Sequence, residues 1–194
     1  MLERTTTLAT LLEGTDDRLV VTGLGSAAND LAYLTDHHPR VFPMDGVMGA
    51  AASVGLGLAL ARPERETLVV TGDGELLMNI GTLSTIAVQN PQNLRIVVVD
   101  NGRWGLTGNQ VTATDTVTDL ADVARGFGIR RVLTVESKED FAAARDLLLT
   151  PGDTALIVIK AEPGPAADVV IERDGVRLRN TFRDHVLAGL QATA

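Results

Sequence analysis

The sequence contains no cysteine, which excludes disulfides, thiolate metal sites and iron–sulfur ligation and fits a reducing cytoplasm as the expected compartment. Aromatic residues are scarce, 3% of the chain against 45% hydrophobic residues overall. That balance points to close-packed aliphatic layers and away from disorder. There is no basic run, and the formal net charge is -8, so neither a nucleic-acid backbone nor an anionic membrane surface suits it as a partner. An anionic ligand would have to be held locally, by backbone amides, a cation or another chain. The longest apolar stretch, Met48 to Ala61, is too short and glycine-rich to span a bilayer. The opening residues, Glu3 and Arg4 followed by threonines, lack the apolar core of a signal peptide.

What is present is an alternation of helical and strand patterns over 194 residues, enough for one large domain with a real core. Leu2, Leu8, Leu11 and Leu12 predict an opening helix over 2–13 closed by Gly14. Arg18 to Thr22 reads as a short buried strand, and Ala27 to Leu34 as a helix. Between them, Gly23-Leu24-Gly25-Ser26 fits two readings equally, a tight turn packing helix on strand or a contact with phosphate. A proline-punctuated irregular stretch follows, from Thr35 to Gly49. Its adjacent His37 and His38 would point apart on any regular element, so they read as solvated loop residues. Ala50 to Leu60 is a helix of small residues. Gly46-Val47-Met48-Gly49 before it is compatible with a plain helix entry around a core methionine or with an exposed methionine at a site.

Further along, a helix from Thr118 to Gly126 precedes a strand from Arg131 to Val135. The capping-box pattern Ser137-x-x-Asp140 opens a helix to Leu149, and Ala155 to Ile159 forms the last core strand. The tail carries Pro163-Gly164-Pro165 and a helical arm from Thr181, with His185 at a surface position. The alternation predicts an α/β fold, a single doubly wound, mostly parallel sheet with helices on both faces. One domain spans 1–194, with its core at about 17–160 and an arm at 161–194.

The chemistry concentrates between Thr67 and Gln110. Two apolar, β-branched strands, Leu68 to Val70 and Ile96 to Val99, each stop at an acid or amide among glycines: Gly72-Asp73-Gly74 after the first, Asp100-Asn101-Gly102 after the second. One helix, Leu76 to Val88, would make the two strands neighbours, and ligands of open α/β sheets sit at such strand ends. Asp73 offers a carboxylate, Asn101 an amide oxygen and Arg103 a backbone carbonyl. That oxygen set suits Mg²⁺, which takes few protein carboxylates when it also binds phosphates. The amides of Gly74 and Glu75 open the helix and face an incoming anion. Asp-Asn-Gly is also a hairpin signal, but a hairpin needs an alternating strand afterwards, and 103–110 is not one.

The run from Gly72 to Asn101, Gly-Asp-Gly followed by 26 residues and then Asn, resembles the signature of thiamine diphosphate enzymes. With the GDG-x-LLMN, DNG and GNQ blocks, the chain is most similar to the beta subunits of sulfopyruvate decarboxylase and the matching half of phosphonopyruvate decarboxylase, over about 17–160. The resemblance implies a diphosphate-binding (PP) domain for thiamine diphosphate and Mg²⁺. Asp73 and Asn101 would bind the metal through side chains and Arg103 through its carbonyl. Gly72 belongs to the motif, and the Gly74 and Glu75 amides and the Gly25-Ser26 loop would touch the diphosphate. Gly46, Val47 and Met48 would hold the aminopyrimidine, and the Met48 side chain would prop the cofactor in its bent form.

The resemblance also implies an activating glutamate on a pyrimidine-binding domain, for which this chain has no room. An alpha subunit would supply it, in a heterotetramer or larger assembly, and no catalytic residue of that kind is expected here. The implied activity is decarboxylation of a small 2-oxo acid, with a sulfonate or phosphonate end. A split carboligase of the acetolactate synthase type and a non-catalytic cofactor-binding subunit are the alternatives. Three positions depart from the family pattern: Asp45, Val47 and Glu75 stand where an apolar, a hydroxyl-bearing and a small residue are expected. The Glu75 carboxylate would then lie close to a diphosphate of its own sign.

Overall fold

The computed structural model describes residues 1–191. In chain order the helices are α1 (Arg4–Leu12), α2 (Ser26–Leu34), α3 (Ala51–Ala61), α4 (Asp73–Met78), α5 (Thr82–Gln89), α6 (Leu120–Phe127), α7 (Phe141–Leu149) and α8 (Gly175–Gln191). The strands are β1 (Leu19–Thr22), β2 (Val41–Pro43), β3 (Thr67–Gly72), β4 (Leu94–Asp100), β5 (Arg103–Trp104), β6 (Gln110–Val111), β7 (Arg131–Val135) and β8 (Ala155–Lys160). Six of these strands form one parallel sheet in the order β2-β1-β3-β4-β8-β7.

Alternation along the strands decides which helix covers which face. Val21, Val69, Ile96, Val98, Leu156 and Val158 pack with α3, α5 and α6. Their neighbours Val20, Leu68, Val70, Val97, Val99, Ile157 and Ile159 pack with α1, α2 and α7. Both faces are buried, so the central strands can be continuous apolar runs, as a doubly wound sheet requires. The predicted fold class is the observed one.

Local differences from the sequence reading have local causes. The helix predicted over 76–88 is two, α4 and α5, because Asn79 leaves the helical region (φ -141°, ψ 46°). The exposed Asn79 side chain donates to Ser53 Oγ at 3.2 Å, a use of short polar side chains that competes with helix. The irregular stretch holds β2, an edge strand ending at Pro43 where the lost N–H costs no ladder bond. The capping box at Ser137 and Asp140 is present but opens a 3₁₀ turn before α7. The arm helix starts at Gly175 rather than Thr181, with Asp174 Oδ1 accepting from the Val176 and Arg177 amides. His185 is half-buried. It meets the exposed His38 edge to face at 5.4 Å, and Phe182 lies 5.3 Å from Phe42 of β2.

The α3–β3 crossing depends on one missing side chain. A Cβ on Gly55 would collide with Val69 in the sheet. Gly55→Ala should therefore destabilise the protein by about 1–3 kcal/mol through overpacking, read as a lowered midpoint in urea unfolding with an unchanged slope.

Candidate functional site

The sheet order reverses direction between β1 and β3, since the chain steps outward from β1 to β2 and then returns past β1 to β3. A crevice opens there at the strands' carboxyl ends. β1 leads through Gly23 to Gly25, whose positive φ (+78°) only glycine adopts freely, and α2 begins at Ser26. β3 leads directly into α4 with Gly72 at its N-cap, so the Gly74 and Glu75 amides lie in a first turn without intrahelical acceptors. The register Gly72↔Val99 then sets Asp73 beside the end of β4, where Asp100 and Asn101 follow.

Asp73 is 2% exposed. Its Oδ2 accepts from Thr112 Oγ at 2.6 Å and from Thr114 Oγ at 2.9 Å. The Thr114 hydroxyl also lies 2.7 Å from Asp100 Oδ1; having one proton, it serves one carboxylate at a time. Burial pushes the Asp73 carboxyl above its ordinary range, and the threonine hydroxyls oppose the shift. Asp100 is paired with Lys160 Nζ at 2.6 Å, whereas Asp73 has no cationic side-chain partner among the described residues. A buried carboxylate in that position suits a bound cation.

Asn101 Oδ1 accepts from the Arg103 amide at 3.0 Å, closing an Asx turn that fixes the side chain. The Arg103 guanidinium is drawn to the Gly102 carbonyl and Asp115, away from Asn101. Carboxylate, amide and backbone oxygens make a hard-cation donor set. Among the described residues no group of three or more His, Cys, Asp or Glu could replace it. The residues present therefore fit Mg²⁺ carried together with phosphate oxygens.

A cavity of about 240 Å³ joins these parts. It brings together Gly25, Ser26, Met48, Gly72, Asp73, Gly74, Glu75, Asn101 and Arg103. Gly46 and Val47 do not line it; they sit exposed on the turn before α3. Val47 is 47% and Met48 49% exposed in the single chain. The Glu75 carboxylate is held by protein donors, Thr71 Oγ at 2.7 Å and the Leu24 amide at 3.1 Å. Asp45 is paired with Arg173 at 3.4 Å. A larger cavity of about 520 Å³ lies between α2, β2 and α8, but it contains none of the residues at the ends of β3 and β4. The candidate site is the smaller one, which holds the strand-end acid and amide.

Several lining residues escaped the sequence reading. Trp104 covers Gly74 so closely that a Cβ there would lie 2.7 Å from the indole ring. β5 and β6 form a minimal antiparallel ladder, Arg103↔Val111 and Trp104↔Gln110, whose reversal lies at Gly105–Asn109 and not at the Asp-Asn-Gly turn. The ladder returns Thr112 and Thr114 to Asp73. Gly164, Pro165 and Ala166 close another wall. That segment is fastened by the buried Arg4–Asp30 ion pair, with Arg4 donating to the Pro165 carbonyl at 2.7 Å and Asp30 accepting from the Ala167 amide at 3.0 Å.

Residues 25–159 match the family model described as thiamine pyrophosphate enzyme, C-terminal TPP binding domain. The chain is 38% identical to the sulfopyruvate decarboxylase subunit beta of Methanocaldococcus jannaschii over 171 residues, covering 88% of this chain and 89% of that protein. It is 39% identical to the phosphonopyruvate decarboxylase of Streptomyces viridochromogenes over 148 residues, 76% of this chain but 36% of that one. Among solved structures, a putative thiamin diphosphate-dependent enzyme from Mycobacterium smegmatis superposes with a TM-score of 0.67 at 24% identity, over 84% of this chain and 32% of that one. The chain therefore belongs to the thiamine pyrophosphate enzymes and is built on their C-terminal, cofactor-binding domain.

Proposed function

We propose that this protein is the beta subunit of a heteromeric thiamine diphosphate-dependent decarboxylase acting on a small 2-oxo acid of the sulfopyruvate or phosphonopyruvate type. The observation that carries the reading is the nearly end-to-end match to a separate beta subunit, against a match to just over a third of the phosphonopyruvate enzyme. The residues of this chain would hold the Mg²⁺-diphosphate half of the site. The other half, with the glutamate that activates the cofactor, belongs to an alpha subunit in a heterotetramer or larger assembly in the cytoplasm. No helix among the described residues is long and apolar enough to cross a membrane.

When bound, thiamine diphosphate supplies the electron sink that a 2-oxo acid needs to lose carbon dioxide. The chain's own residues do the holding. Asp73, Asn101 and the Arg103 carbonyl would take Mg²⁺, and through it the diphosphate of an otherwise acidic protein's ligand. Thr112 and Thr114 fix the Asp73 carboxylate, the outer-shell support that metal ligands generally need. The Gly74 and Glu75 amides and the Gly25-Ser26 turn would donate to phosphate oxygens. The Gly46 carbonyl and Met48 amide would meet the aminopyrimidine, with the exposed Val47 and Met48 facing the partner. Trp104, Met78 and Leu106 line the cavity with apolar surface that would exclude water once a partner covers it.

The test is reconstitution with the companion chain and a panel of 2-oxo acids including sulfopyruvate and phosphonopyruvate. Aldehyde and carbon dioxide should appear with both chains and not with this chain alone. Turnover without the partner would overturn the division of the site, and a 2-hydroxy ketone product would identify a carboligase instead. Asp73→Ala should abolish Mg²⁺-dependent cofactor binding by calorimetry; unchanged affinity would refute the metal site. Thr114→Val, which leaves every direct ligand in place, should weaken Mg²⁺ affinity about 10-fold, measured as the Mg²⁺ concentration that half-saturates cofactor binding.

A further inference from the structure

A Mg²⁺ ion carried with phosphate oxygens needs few protein carboxylates, yet the strand ends here offer two of the same kind. Asp73 and Asp100 are 2% and 3% exposed. They stand at the ends of adjacent strands and touch one hydroxyl, Thr114 Oγ, at 2.9 Å from Asp73 Oδ2 and 2.7 Å from Asp100 Oδ1. Charge alone does not decide which of the two a cation should prefer.

The next strand distinguishes them. The register of β4 and β8 sets Asp100 directly against Lys160, and Lys160 Nζ donates to Asp100 Oδ2 at 2.6 Å. Asp100 Oδ1 accepts from the Gly102 amide at 3.2 Å and faces the Thr114 hydroxyl. Both oxygens are thus engaged by the chain. On Asp73 the two hydroxyl donors fall on Oδ2, and Oδ1 receives no side-chain donor among the described residues. The cavity shows the same asymmetry, since Asp73 lines it and neither Asp100 nor Lys160 does. The Lys160 side chain is 27% exposed, so the place its ammonium fills is one that a cation from solution can reach.

We propose that Lys160 is a positioning residue: by occupying Asp100 it denies the cation a second carboxylate and holds it on Asp73, beside the Gly74 and Glu75 amides. Without Lys160, Asp100 becomes a buried acid lacking its partner, and a divalent ion is the ready substitute. An ion seated there would be one strand away from the helix start where the diphosphate is expected. This role rests on the functional reading above for what the cation carries, and not for the choice between the two acids.

Binding of Mn²⁺, which takes the same oxygen ligands as Mg²⁺, to the cofactor-free full chain tests that choice through the EPR signal of the free ion. Asp73→Ala should abolish binding. Adding Lys160→Met should bring it back, because Asp100 is released, and a further Asp100→Asn should remove it again. Lys160→Arg in the Asp73→Ala chain should regain nothing, since the guanidinium keeps a cation against Asp100. In Lys160→Met alone, Mn²⁺ should bind the cofactor-free chain about 10-fold more tightly through the added net negative charge. Affinity of the same variant, with its partner chain, for thiamine diphosphate and Mg²⁺ should fall about 10-fold, as the ion is drawn to the wrong acid. A merely structural role would move both affinities down together. That result, or an Asp73→Ala chain that stays metal-free with Lys160→Met, would overturn the role of Lys160. A wild-type complex that binds no thiamine diphosphate would overturn the functional reading instead, and the Mn²⁺ series, which uses no cofactor, would still decide between the two acids.

Discussion

A carboxylate buried at the end of a parallel strand is costly unless donors or a cation meet it, and the architecture of this protein's site follows from that constraint at Asp73. The strand order places β3 at the switch point, so the acid that ends it lies in the crevice where a ligand can reach. Two threonine hydroxyls satisfy part of the charge, and burial still raises the carboxyl above its usual range. Asp100, one strand over, shows the other solution, an ion pair with Lys160. Of two neighbouring acids, one is neutralised by the chain, and the other is the one the proposed function assigns to a metal.

Most of the fold was legible because its signals are local. Continuous β-branched runs stopping at glycine marked the two central strands, and helical leucine spacing marked α1. Asp73 and Asn101 were legible for the same reason, each standing directly after a strand. What was not legible depends on contacts far apart in sequence. Nothing near Thr112 or Thr114 indicates that a five-residue reversal returns them to an acid some 40 positions earlier. β2 was hidden by the prolines in and before it, Pro43 and Pro39; an edge strand accepts such a residue and a central strand would not. Glu75 read as a charge near the ligand, yet the structure turns its carboxylate onto protein donors, because Gly23 leaves it room.

The exposed residues around the cavity bear on the division of labour between chains. Val47, Met48, Met78 and Leu106 are each about half exposed or more, an apolar rim around a polar floor. Such a rim is typical of surfaces that another protein covers. It agrees with a cofactor site completed by a second subunit, and it accounts for why Gly46 and Val47 stand outside the cavity of the single chain.

The clash between Gly23 and the carboxylate at position 75 also limits the routes by which this sequence can change. While Glu75 is present, every residue larger than glycine at 23 meets an occupied space. Without the carboxylate, the Thr71 hydroxyl, 2.9 Å from a Cβ at 23, is the tight contact that remains. The two positions, 52 residues apart in the chain, are thus coupled: a side chain at 23 meets a smaller obstacle once 75 has become small.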